Sequence, residues 1–252
     1  MMILAARTPP GGNPFAAPTG VNRRPGAYGA APERRGRVPT RLTWRCHVTS
    51  ETALSRQLTI AAGLLASRGA AGIPHPGGTL LAHLERVSAL LGQWGARPAV
   101  RLAGLCHACY GTDGFPLMLC DLAGRDELAA VIGEEAERLV YFYASCDRHF
   151  SYPHLGEPAG GFRDRFTATV LSPPQATRQD FAELTAANEL DIAGVNPELR
   201  AQYGPGLLRL FTSWRDLLSD RAWHAVQTTV AGPAAQDPDA DTGQATRPVR
   251  TW

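Results

Sequence analysis

At 252 residues the chain can bury one well-developed core or two small ones, and a 44% hydrophobic content is that of an ordinary globular domain. No apolar run approaches the roughly 20 residues that a membrane helix needs, and Pro and Gly interrupt the opening MMILAARTPPGG too soon for a signal peptide, so a cytoplasmic protein with no membrane partner is expected. The net charge of +2 is the sum of two unlike parts: residues 1–47 hold eight Arg against Glu33, and the remainder holds 17 Arg against 22 acids, an acidic body that excludes a general grip on nucleic acid.

Every basic side chain other than His is Arg, with no Lys. Together with the excess of Ala, Gly and Pro, this reflects nucleotide bias in a GC-rich gene, so arginine abundance alone does not point to phosphate. Residues 1–47 lack periodicity and read as a disordered basic arm that need not belong to the native protein. Val48 is an alternative start. The body spans 48–230, and residues 231–252, rich in Pro, Asp, Thr and Gly, read as a disordered tail.

Ser50 or Thr52 is placed to cap a helix that carries Leu54, Leu58, Ala61, Ala62 and Leu65 at helical spacing. Gly69–Gly78 breaks the pattern, with His75 held between Pro74 and Pro76. Thr79 caps the next helix, whose apolar face runs Leu80, His83, Leu84, Val87, Leu90, Leu91 and Trp94 and ends at Gly95. Pro98 opens a third helix that brings Val100, Ala103, Gly104, His107 and Ala108 near one face and closes at Gly111. A short helix is expected over Arg125–Ile132, and after Gly133 an amphipathic one runs through EEAERLVYFYASCDR, with Glu134 and Glu135 in its first turn. His149–Gly161 reads as a loop and Phe162–Leu171 as a β-hairpin arm or an extended segment. Thr177 caps a helix with Phe181, Leu184, Ala187, Asn188 and Asp191 on one side. Gly206–Leu218 and Arg221–Val230 read as the last two helices, the first presenting exposed aromatics that would suit a homodimer.

The five cysteines, an odd number without a secretory signal, read as reduced thiols. Cys106-x-x-Cys109 has metal-knuckle spacing, but no second pair answers it. The chemistry centres on histidine. Imidazoles on separate packed helices hold a metal rigidly, and a carboxylate compensates its charge. His83, His107 and Asp191 are the candidate ligands, with His75 as a fourth and Asn188 one turn before Asp191. Tyr110 and Thr112 follow His107 closely and are candidate catalytic hydroxyls. Arg148 and Arg165 are candidates for binding a substrate phosphate or carboxylate. The bland alternative is two satisfied core histidines and an Asp on a solvated helix end.

The sequence His83-Leu-Glu-Arg-Val, followed 24 residues later by a run ending Ala-Gly-Leu-Cys-His107, resembles the HD-domain superfamily, helical metal-dependent phosphohydrolases with an oxygenase branch. The pattern is most similar to the stringent-response alarmone hydrolases. The resemblance implies an all-α, HD-like bundle in which His83 and His107 bind metal and the AANELD segment supplies Asp191. The family's Asp after the second His is Ala108 here, and its catalytic Glu-Asp pair would fall at Gly111 and Thr112, so alarmone hydrolysis by the family mechanism is not implied. The His107-x-x-Tyr110-Gly111-Thr112-x-x-Phe115 pattern resembles an uncharacterised bacterial family related to HD proteins.

Three readings follow: a hydrolase using a divalent metal (Mn, Zn or Fe) on a phosphorylated or nucleotide-like small molecule; an iron oxygenase with His75 as an added ligand; and a metal-free relic that binds a ligand or partner.

Overall fold

The computed structural model describes residues 41–230, with side chains from residue 51 onward. The expected tail at 231–252, and residues 1–40 of the expected arm, lie outside the described residues. The chain divides between Ala53 and Leu54 into two units, and the candidate site lies wholly in the one that starts at Leu54.

Among the described residues the protein is mostly helical, with nine α-helices and two small two-stranded sheets. The first helix, α1, spans Arg41–Ser67 and so begins inside the stretch expected to be an unstructured arm. No Pro or Gly lies between Thr40 and Gly63, and nothing in the sequence stops the helix from extending back past Thr52. Pro74–His75 (β1) and Gly78–Thr79 (β2) then pair as a tight antiparallel hairpin rather than an open loop. Gly77 takes φ 77° in its turn.

The hairpin leads directly into α2 (Leu80–Trp94). Thr79 accepts a hydrogen bond from the Ala82 amide at 3.2 Å, and Gly95 ends the helix at φ 84°, both as the sequence predicts. The third helix, α3, spans Pro98–Cys106 with Pro98 in its first turn. It stops short of the expected end at Gly111. His107 is its C-terminal cap, and the chain turns through Cys109 and Gly111 with amide bonds back to Cys106 and Ala108.

Arg125–Ile132 (α4) and Glu134–Ala144 (α5) flank Gly133, as expected. Arg148–His154 forms a separate helix, α6, where a loop was expected; Asp147 caps it by accepting from the Phe150 amide at 3.0 Å. Phe162–Arg163 (β3) pairs with Val170–Leu171 (β4), which is the expected hairpin arm.

The long helix α7 spans Gln175–Val195, and every residue from Leu184 to Ala193 is buried. It is the spine of the molecule, packed between α2, α3 and α5 and the last two helices, α8 (Pro197–Ser213) and α9 (Asp220–Val230). The start of α8 lies nine residues before the expected Gly206, because Asn196 caps the helix and Pro197 occupies its first position. The aromatics expected to be exposed at its end are not: Phe211 and Trp214 are fully buried. Trp214 meets Phe181 and Tyr152 edge-on, and its indole N–H donates to the Tyr152 carbonyl at 3.2 Å. These side chains are therefore packed inside the chain's own core. No helix among the described residues is long and apolar enough to cross a membrane.

Candidate functional site

Four of the expected site residues meet in the interior. The hairpin carries His75, α2 carries His83, the end of α3 carries His107, and α7 carries Asp191; all four are at most 8% exposed. The rings of His75 and His83 stack with centroids 4.2 Å apart, and those of His83 and His107 meet edge-on at 5.4 Å. Two imidazoles 24 residues apart in the chain thus converge, with an acid from a late helix beside them.

Hydrogen bonding fixes each ring. His83 Nδ1–H donates to Asp191 Oδ2 at 2.7 Å, while its Nε2 lies 3.1 Å from the side-chain oxygen of Asn188. His107 Nδ1 lies 2.8 Å from the Gly104 carbonyl, which can only accept, so Nδ1 carries the proton and Nε2 bears the lone pair. That Nε2 is fully buried and has no hydrogen-bond partner. Burial, with the nearby His83 adding to it, lowers the His107 pKa to about 3; the same two effects bring His75 to about 4. Both rings are neutral at pH 7, the form that binds a metal or accepts a proton.

Sequence reasoning missed Arg86, which controls Asp191. Its Nε donates to Asp191 Oδ1 at 2.7 Å and its Nη2 to Oδ2 at 2.9 Å. The same guanidinium reaches the carbonyls of Pro76 (3.3 Å) and Gly77 (3.4 Å) in the hairpin turn. One side chain thus ties the hairpin that bears His75 to the carboxylate that orients His83. Burial acts to raise the Asp191 pKa, but hydrogen bonds from His83 and Arg86 outweigh it and hold the group below the usual range. Arg86 lies one turn after His83 on α2, and that spacing was the available signal.

A second group of buried polar side chains adjoins the first. Tyr143 of α5 packs edge-on against His107 at 5.3 Å. Asn188 donates from Nδ2 to Glu189 Oε1 at 3.2 Å, and Arg148 Nη1 stands 3.6 Å from that oxygen. Tyr152 lies beneath the Arg148 guanidinium, 5.7 Å from ring centroid to Cζ. Burial raises the Glu189 pKa, with Arg148 and Asn188 opposing. Arg148 is therefore at the site, as expected. Arg165 is held elsewhere: its Nε donates to the Ala144 carbonyl at 2.8 Å and its head lies over Phe166.

Tyr110 and Thr112 also have partners outside the histidine cluster. The Tyr110 hydroxyl donates to Glu137 Oε1 at 3.0 Å, and Arg125 grips the same carboxylate at 2.6 and 2.8 Å. Thr112 Oγ1 accepts from the Phe115 amide at 3.1 Å in a tight turn whose Phe115 ring meets His75 edge-on. The early end of α3 is the cause, since it swings the chain after His107 away from the helical path. Cys106, Cys109, Cys120 and Cys146 are free and buried, and burial pushes the Cys146 thiol up to about 12. An open hollow of about 640 Å³ beside Cys120, lined by Leu64, Arg68, Asp121 and Glu127, contains none of the site residues.

The model of a domain of unknown function, DUF6817, matches residues 64–148. The matched stretch carries His75, His83, Arg86, His107, Tyr110, Thr112 and Arg148, and it ends before the α7 residues Asn188, Glu189 and Asp191. No curated protein and no solved structure matches the chain.

Proposed function

We propose that the protein is a metal-dependent hydrolase on an HD-like helical scaffold, acting on a phosphorylated or nucleotide-like small molecule. The observation that carries this reading is the orphaned Nε2 of His107, buried beside His83, whose other nitrogen is fixed on a carboxylate. Metal-binding histidines are held in that way, one nitrogen on an acceptor and the other left for the ion.

The residues fit such an ion in part. Among the described residues, no group of three or more His, Cys, Asp or Glu side chains is gathered closely enough to hold one. Both Asp191 oxygens are occupied by His83 and Arg86, so Asp191 acts in this reading as the orienting group. The protein donors would be His83 and His107 through Nε2, with the Asn188 side-chain oxygen, an uncharged set suited to Zn or Mn. A divalent ion there would supply Lewis acidity towards a phosphoryl oxygen. Arg148 balances substrate charge, and Asp191 and Arg86 hold the His83 ring in place. With no carboxylate on the ion, affinity is modest until substrate oxygens complete the site. A metal-free binding role is the second reading, favoured by the commitment of Asp191 to Arg86.

Metal analysis and titration calorimetry test the proposal. Zn or Mn should bind at one per chain, and His83→Ala with His107→Ala should abolish binding while the far-UV circular dichroism is retained. Absence of binding at millimolar metal, with or without inorganic phosphate, would leave only the second reading.

A further inference from the structure

The histidine site is closed. His75, His83, His107 and Asp191 are at most 8% exposed, and the three rings pack in a row. A small molecule reaches them only when part of the cover moves. That cover is uneven. The helices α2, α3 and α7 each carry a run of buried side chains. Of residues 72–79, by contrast, His75 alone is buried. A Cβ added at Gly72 or Gly78 would meet nothing within 4 Å among the described residues, and Gly78 sits at φ 132°, a conformation that glycine tolerates best. Beyond those two glycines the chain is anchored, by the fully buried Ala70 on one side and by Thr79, the cap of α2, on the other.

The contacts that hold the segment down are few. His75 stacks on His83 and meets Phe115 edge-on at 6.1 Å. Val195 presses on the turn, where a Cβ at Gly77 would lie 2.8 Å from its Cγ2. The Ile73 carbonyl accepts from the Leu80 amide at 2.9 Å. Arg86 reaches the Pro76 and Gly77 carbonyls at 3.3 and 3.4 Å, long beside its bonds of 2.7 and 2.9 Å to Asp191. The weaker joint is thus the one between the arginine and the turn. We propose that residues 73–78 form a lid over the histidine site, which lifts about Gly72 and Gly78, draws His75 off the face of His83 and leaves Arg86 on Asp191. Segments with few buried contacts open locally at a lower cost than the core around them. The lid governs access to the site of the proposed hydrolase, and it does not require that the site hold an ion.

Hydrogen exchange and chemical modification on the full chain, at pH 7 in excess chelator, test it. The Leu80 amide is in the first turn of α2, where no intrahelical acceptor exists, so its protection reports the bond to Ile73. It should exchange at least about 100-fold faster than the amides of Val87 and Leu91, after correction for intrinsic rates. Val195→Ala trims an exposed side chain and should speed Leu80 exchange about threefold to fivefold, with Val87 and Leu91 unchanged. Gly77→Ala, which sets a Cβ against Val195 at φ 77°, should speed it about tenfold or more. Diethyl pyrocarbonate, with peptide mass spectrometry as the readout, should modify His75 and His83 faster in both variants by the same factors, while the rate at exposed His224 stays constant. Leu80 protection equal to that of Val87, no response to either substitution, or a His83 rate that fails to follow Leu80 exchange would each overturn the lid. Because chelator is present, the two readings fail separately: a hairpin that opens in a protein without metal affinity removes the hydrolase alone, and metal binding with a rigid hairpin removes the lid alone.

Discussion

Removing the Arg86 guanidinium by Arg86→Met tests whether the histidine site is built as described. Arg86 makes two short bonds to Asp191, whose side chain is 4% exposed, while its own is 32% exposed. A hydrogen bond to a charged group contributes about 1.5–3 kcal/mol, and stripping one partner from a buried pair costs about 3–5 kcal/mol. Arg86 is partly solvated, so the lower end applies, and a loss of about 2–3 kcal/mol is expected. Asp191→Asn should cost less, about 1–2 kcal/mol, because the freed arginine can turn to water and the amide oxygen still accepts from His83. The double variant should be little worse than Arg86→Met alone, leaving a coupling of about 1 kcal/mol or more. Arg86→Lys should recover only part of the loss, since an ammonium cannot bridge both carboxylate oxygens. Urea unfolding at pH 7 in chelator measures each value. A change below about 0.5 kcal/mol for Arg86→Met, well under the bond energies invoked, would refute the view that this residue organises Asp191 and, through it, His83.

The remaining predictions concern acid and packing. His107 is depressed to about 3 in the fold from an ordinary 6.5, so the unfolded chain takes up the proton first. Its contribution is intact above pH 6.5 and is lost as the pH falls towards 3, at about 1.4 kcal/mol per unit. His75, depressed to about 4, acts in the same direction. Urea midpoints should therefore fall between pH 7 and 5 by an amount equivalent to about 2 kcal/mol or more, and a flat profile would argue that both rings are solvated. Gly104→Ala places a Cβ against Leu91 Cδ1 where α3 crosses α2; destabilisation of about 1–3 kcal/mol is expected by the same assay, as for other overpacked cores.

Much of the scaffold was legible in residues with a single mechanical meaning. Thr79, Gly95, Pro98 and Gly133 each mark an element end that the structure contains, because caps and breakers act locally. The failures came where local signals competed. His149–Gly161 reads as a loop, yet Asp147 caps α6, the helix accommodates Pro153, and Tyr152 anchors it in the core. Asn196-Pro197 is a readable helix start, nine residues ahead of the apolar run after Gly206.

In the site, His83, His107 and Asp191 were legible because each falls on or beside an apolar face, and His75 because prolines hold it just ahead of the helix that bears His83. Arg86, Glu137 and Glu189 were not, because a charged side chain on an amphipathic helix is usually solvated, and only tertiary packing buries the two glutamates and brings Arg86 against Asp191. Tyr110 was named for its closeness to His107 on a helix expected to close at Gly111; the helix stops at Cys106, and the hydroxyl bonds Glu137.

The burial of α7 on every side has a consequence for the boundaries of the matched segment. Residues 64–148 supply the first three histidine-bearing elements, but not the helix that shields their inner faces or the Asn188 and Asp191 groups that hold the His83 ring. A polypeptide cut after Arg148 would expose a greasy trench along α2, α3 and α5, with His83 left unanchored. A chain limited to that stretch would need another rod to cover the same face.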